Sequence, residues 1–168
     1  MLRILIVDDS LEDARLLERV LSQAGILNPM VMLSSGEECL SMLEQRRSAS
    51  IREEPFLVFL DMMMAPTSGL SVLQEARRFG DDSVFIMISG ITDIKTINAG
   101  YQAGARTFLV KPVKEHDIRE LFHALKSRIT VGESDKGTLL SWTVNPFAAV
   151  SPWPNNLSRP AGGLGFAS

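Results

Sequence analysis

The chain has 168 residues, 45% hydrophobic and 22% charged, a balance that suits one soluble globular domain with an extension. A single cysteine, Cys39, excludes an internal disulfide and a Cys-rich zinc site. Seventeen basic against 20 acidic residues, net −3, argue against non-specific nucleic-acid binding, and no apolar run approaches the ~18 residues of a membrane span. The N-terminus, MLRILIVDDS, lacks the small-residue cleavage site of a signal peptide, so a cytoplasmic protein is expected.

Two periodicities alternate along the first part. Residues 2–7 (LRILIV) form a short apolar run that stops at Asp8. Residues 11–24 place Ala14, Leu17, Leu21 and Ala24 on one helical face, with Gly25 as the stop. Residues 30–33 read as strand and 36–47 as helix. Residues 56–60 (FLVFL) read as a strand ending at Asp61. Helix is expected over 69–79, strand over 84–88, helix over 92–103 and strand over 106–110. Residues 114–129 read as an amphipathic helix with Ile118, Leu121, Phe122, Leu125 and Ile129 inward.

These are five βα units of roughly 25 residues, a length that fits right-handed crossovers. Strands apolar on both faces belong to a parallel sheet covered by helices on each side. The expected fold is an open, doubly wound α/β sheet, which binds ligands beyond the carboxyl ends of its strands. Composition changes near residue 130. Residues 131–168 hold only four of the 37 charged residues, four of eight prolines and both tryptophans. A boundary is therefore expected at 130–137, between a domain over 1–130 and a tail over 131–168. That tail is expected to be mostly flexible, with a partner-docking role. Residues 138–144 (TLLSWTV) have strand propensity, and Trp142, Phe147 and Trp153 favour packing.

The chemistry sits where the strands stop. Asp8 and Asp9 follow the first strand, Asp61 the third, Ser89 the fourth and Lys111 the fifth. A parallel sheet brings these ends to one edge. Three carboxylates raise one another's pKa unless a cation joins them, and Mg²⁺ is the hard ion that oxygen ligands suit. An aspartate there can act as a nucleophile toward phosphorus, with metal and lysine neutralising phosphoryl charge. Each residue also has a plainer role. Asp8, Asp9 and Ser10 would cap the first helix, Asp61 would open a loop, Ser89 or Thr92 would cap the fourth helix, and Lys111 would be solvated. The plain roles must all hold independently, whereas convergence needs only the parallel sheet.

The segments ILIVDDS (4–10), FLVFLDMMM (56–64) with Gly69, VFIMISG (84–90) and AGARTFLVKPV (103–113) together resemble the receiver domain of two-component response regulators, over residues 2 to about 130. The resemblance implies a flavodoxin-like (βα)5 fold with five parallel strands in the order 2-1-3-4-5. It implies Asp61 as phosphoacceptor. Mg²⁺ would be held by Asp9 directly, by Asp8 mainly through water, by Asp61 and by the Met63 backbone carbonyl. Ser89 and Lys111 would bind phosphoryl oxygens and Phe108 would be the switch aromatic. The Lys111–Pro112 bond would be cis. A sensor histidine kinase or histidine phosphotransfer protein would be the donor. The expected protein is a single-domain, chemotaxis-type regulator, not an enzyme beyond its own phosphorylation and dephosphorylation. Its output would be a downstream protein bound by the fourth helix, fifth strand and fifth helix, with Tyr101, Phe108, Lys114, Arg119 and Lys126 as candidate contacts. Neither nucleic acid nor membrane is expected as partner.

Two departures stand out. The family usually has Met-Pro at the third and fourth positions after the phosphoacceptor; here Met64 and Ala65 stand there, with proline at Pro66. Met63 and Ile91, two residues beyond Asp61 and Ser89, are apolar where the family tunes water access, so a long-lived phosphoryl group is expected. The alternatives are a receiver-like module that works without phosphorylation and an aspartate-nucleophile phosphatase. The latter needs a second aspartate where Met63 stands.

Overall fold

The protein is described by a computed structural model covering residues 1–49, 53–90 and 93–143. Ile91, Thr92 and residues 144–168, with Phe147 and Trp153, lie outside the described residues. Elements follow in chain order as β1 (Arg3–Val7), α1 (Leu11–Gln23), β2 (Met30–Leu33), α2 (Gly36–Ser48), β3 (Phe56–Asp61), α3 (Gly69–Arg78), β4 (Val84–Ser89), α4 (Ile94–Gln102), β5 (Thr107–Val110), α5 (Glu115–Ala124), β6 (Ile129–Ser134) and β7 (Gly137–Trp142). The first five strands form one parallel sheet in the order β2-β1-β3-β4-β5. This is the doubly wound sheet expected from the alternating apolar runs, in the flavodoxin-like order that the resemblance implies.

Helices cover both faces. In β3, Leu57 and Phe59 pack under α1 and α5 with Leu17, Leu21, Ile118 and Phe122. Phe56, Val58 and Leu60 face the other way, onto Leu43, Val72 and Leu73 of α2 and α3. All of β3 and β4 is buried, which explains their unbroken apolar sequence. Gly25 ends α1 with φ of +84°, a left-handed conformation that side chains resist. At the sheet edge away from Asp8 and Asp61, the Arg46 guanidinium donates to Asp81 at 2.7 Å and ties α2 to the α3–β4 turn.

The chain after α5 departs from expectation. The helix expected to reach residue 129 ends at Ala124, and a hairpin spans 129–142 where a domain boundary was expected. Leu125 and Ile129 are buried, as the helical pattern required, but Ile129 opens β6 and pairs with Trp142. Asp135 and Lys136 form the two-residue turn between Ser134 and Gly137. The hairpin docks on the α1–β2 connection. Thr138 N–H donates to the Gly25 carbonyl at 2.7 Å, and Leu27 N–H donates to the Thr138 carbonyl at 2.9 Å. The buried Asn28 side chain donates to the Leu2 and Leu140 carbonyls at 2.9 and 2.8 Å, and accepts from Leu140 N–H at 2.7 Å. Trp142 Nε1 donates to the Pro55 carbonyl at 2.9 Å. Residues 131–143 are thus part of the folded body.

Asn28→Ala strips partners from three backbone groups, two of them on Leu140. It is expected to cost about 2–4 kcal/mol in urea unfolding. Amide exchange should rise across 129–142 before the parallel sheet opens. Unchanged exchange there would show that Asn28 does not hold the hairpin.

Candidate functional site

The ladder places the site. Asp8 N–H donates to the Leu33 carbonyl at 3.1 Å, Met62 N–H to the Ile88 carbonyl at 2.8 Å and Lys111 N–H to the Ser89 carbonyl at 2.9 Å. Each residue following β1, β3 and β5 is therefore fixed by its neighbouring strand at the carboxyl edge. Asp8, Asp61 and Ser89 are only 6%, 4% and 3% exposed, so three polar side chains are sunk into the floor of the site. Asp9 is exposed at its rim. One carboxylate oxygen from each of Asp8, Asp9 and Asp61 lies within 4.8 Å of the others.

Helix capping does not consume these acids. Ser10 caps α1, its hydroxyl accepting from Asp13 N–H at 3.3 Å. Ser10 N–H in turn donates to Asp8 Oδ1 at 2.9 Å. Asp93, rather than Ser89, caps α4 by accepting from Lys95 and Thr96 N–H. Lys111 reaches into the acidic group, its Nζ lying 2.8 Å from Asp8 Oδ2, 2.8 Å from Asp13 Oδ2 and 3.3 Å from Asp61 Oδ1.

The loop from Asp61 to Gly69 folds back tightly. A Cβ on Gly69 would run into the Asp61 carbonyl oxygen, and Gly69 N–H donates to the Met62 carbonyl at 3.1 Å. Glycine here lets α3 start directly behind the acid. Ala65 N–H donates to Asp9 Oδ2 at 3.2 Å. Proline at this position would have no such donor, so the displacement of proline to Pro66 gives the loop a grip on Asp9. The Ala65–Pro66 and Lys111–Pro112 bonds are both cis. Phe108 is half-buried, with its ring edge-on to Tyr101 at 5.1 Å between centroids. A Cβ on Gly100 would overlap the Phe108 ring, so the bare α-carbon forms the seat for that ring.

Comparison with known proteins agrees. Residues 4–123 match the family model described as response regulator receiver domain. The chain belongs to the response regulator receiver family. A probable transcriptional regulator ycf27 from Porphyridium aerugineum is 30% identical over 143 residues, covering 85% of this chain and 55% of its own. Response regulator MprA from Mycolicibacterium vanbaalenii is 30% identical over 148 residues, covering 86% of this chain and 60% of its own. This receiver chain thus spans about half the length of the curated relatives it matches. Among solved structures, the CheX–CheY–BeF3–Mg complex from Borrelia burgdorferi is 23% identical with a TM-score of 0.62, over 74% of this chain and 89% of that one. A response regulator receiver domain from Rhodospirillum rubrum is 25% identical with a TM-score of 0.60, over 73% of this chain and 89% of that one.

The receiver's acidic residues fit a hard divalent cation. Three carboxylates gathered within one ion's reach are the donor set that Mg²⁺ takes. The electrostatics show the same need. Burial, joined by the charge of Asp8, raises the Asp61 pKa above its ordinary value, while Lys111 and the Met63 backbone N–H pull it down. Burial works against the Lys111 ammonium, but hydrogen bonds to Asp13 and Asp8 and the charge of Asp61 outweigh it and raise its pKa. Asp13 was not singled out in the sequence. Its position in the first helical turn reads as an ordinary helix-dipole acid, and only the fold shows it meeting Lys111. Met63 is 63% exposed at the mouth of the site. Its companion Ile91 lies outside the described residues. Among the described residues, no helix is long and apolar enough to cross a membrane.

A raised folded-state pKa means that ionising Asp61 costs stability. The cost is absent below the unfolded value, near pH ~3.9, and grows as pH rises through the folded value. Asp61→Asn should therefore be more stable than wild type at neutral pH without divalent cation, with the advantage shrinking on acidification. Urea midpoints at both pH values check this. A variant no more stable at neutral pH would contradict it.

Proposed function

We propose that this receiver accepts a phosphoryl group on Asp61 from a phosphohistidine donor in a two-component phosphorelay. The observation that supports it most is the meeting of Asp8, Asp9, Asp61 and Lys111 at one sheet edge, with Asp61 buried and Lys111 already 3.3 Å from its Oδ1. In the transfer, an Asp61 carboxylate oxygen bonds to phosphorus as the P–N bond to the donor histidine breaks. The histidine nitrogen keeps the electron pair and is then protonated. Asp8, Asp9, Asp61 and the Met63 carbonyl would hold Mg²⁺, which supplies neutralising charge to the phosphoryl oxygens. Lys111 adds a second cation and the Ser89 hydroxyl a hydrogen bond. The protein promotes only its own phosphorylation and dephosphorylation. With Met63 rather than an aspartate two residues past Asp61, a phosphatase lacks its general acid. Met63 is exposed, and apolar residues at positions 63 and 91 orient water poorly, which favours a long-lived acyl phosphate.

The output would be a change in the α4–β5–α5 face. A phosphoryl group that draws Ser89 toward it frees space under α4, and Phe108 then leaves its seat on Gly100 and moves inward. A groove of about 550 Å³ runs between β5 and α5, lined by Phe108, Val110, His116 and Glu120. It sits where a protein partner would read that change. The names of the ycf27 relatives favour a second output, transcriptional control, in which this face would report to a nucleic-acid-binding segment instead.

Phosphoramidate with Mg²⁺ should add one phosphoryl mass to the wild-type chain and none to Asp61→Asn, read by intact-mass spectrometry. A wild-type chain that stays unlabelled would overturn the proposal and favour a receiver that signals without phosphorylation.

A further inference from the structure

Lys111 is held by a carboxylate that phosphoryl acceptance does not require. We infer that Asp13 is a positioning residue, which fixes the Lys111 ammonium over the phosphoacceptor oxygen. The inference rests on the reading of Asp61 as phosphoacceptor.

An ammonium has three N–H donors on a flexible four-carbon stem. Asp8 and Asp13 each sit 2.8 Å from Nζ, whereas Asp61 Oδ1 is at 3.3 Å. Two donors are engaged closely. The third faces the acceptor oxygen at longer range and is the one left for a phosphoryl oxygen. The grip comes from two separate places in the fold, since Asp8 follows β1 and Asp13 belongs to α1. Asp13 is itself fixed. Its N–H donates to the Ser10 hydroxyl at 3.3 Å, and Ser10 N–H donates to Asp8 Oδ1 at 2.9 Å. Asp8, Ser10, Asp13 and Lys111 thus form a closed ring of hydrogen bonds around the start of α1. Asp13 also lines, with Leu16, Leu17, Pro112 and Val113, a cleft of about 300 Å³ that opens beside Lys111. Because Lys111 and Asp13 are partly exposed, their pairing adds little to stability. Its consequence lies in where the ammonium is held.

The test measures phosphoramidate loading of the full chain by intact mass in wild type, Asp13→Ala, Asp13→Glu, Lys111→Ala and the Asp13→Ala/Lys111→Ala pair. Asp13→Ala should slow loading roughly three- to tenfold, since small misplacements of a charge-stabilising group cost rate. Asp13→Glu should recover part of that loss. In the Lys111→Ala background, Asp13→Ala should add nothing, because its effect passes through the ammonium. A slowing of equal factor in both backgrounds, or wild-type loading in Asp13→Ala, would overturn the inference while leaving Asp61 as acceptor. A wild-type chain that loads no phosphoryl group would overturn both. An independent readout is the Lys111 ¹⁵Nζ signal of unphosphorylated protein. It should be sharp in wild type and broadened by Asp13→Ala; a sharp signal in the variant would count against the inference.

Discussion

Mutual repulsion among Asp8, Asp9 and Asp61 is the constraint on which the rest of this structure depends. Two of these acids are buried, and no sheet would gather them without a use for the charge. Lys111 offsets part of the repulsion through contacts to Asp8 and Asp61. One ammonium against three carboxylates, with Asp13 as a fourth claimant, leaves the site short of positive charge. The shortfall is what suits the site to a divalent cation, which the three carboxylates could hold. Burial, together with the same shortage, raises the Asp61 pKa above its ordinary value.

The fold exists to hold that arrangement against its own repulsion. Unbroken apolar strands, clamped by helices on both faces, supply the rigidity. The helices also cap themselves with other residues, Ser10 and Asp93, rather than with the strand-end acids or Ser89. Gly69 brings α3 against the back of Asp61, and Gly100 seats Phe108 under α4. At the far edge, the Asn28 lock and Trp142 fasten the β6–β7 hairpin to the starts of β1 and β3. That edge is remote from the acids, so the hairpin adds bulk and anchoring without entering the chemistry.

The five βα units and the strand-end residues were legible because both rest on local pattern. Apolar runs that stop at Asp8, Asp61 and Ser89 announce strands and the edge they share. Three features were not legible. The β6–β7 hairpin was hidden because Leu125 and Ile129 continue the inward spacing of α5, and periodicity cannot tell a helix end from a strand start. Asp13 was hidden because its partner lies almost a hundred residues away and its helical position already had an ordinary explanation. The grip of Ala65 on Asp9 was hidden because a missing proline reads as a lost feature, whereas it exposes a backbone donor. The last two misses involve long-range contacts that spacing along the chain does not encode.

The central claim is that acids from β1 and β3 share one divalent cation. Titrating the protein with Mn²⁺ and following amide signals by NMR tests it most directly, since paramagnetic broadening falls off steeply with distance. Broadening should centre on residues 8–9 and 61–63, spread to Ser89 and Lys111, spare the 129–142 hairpin and weaken in Asp61→Asn. Broadening centred elsewhere, or equal in wild type and variant, would contradict the account.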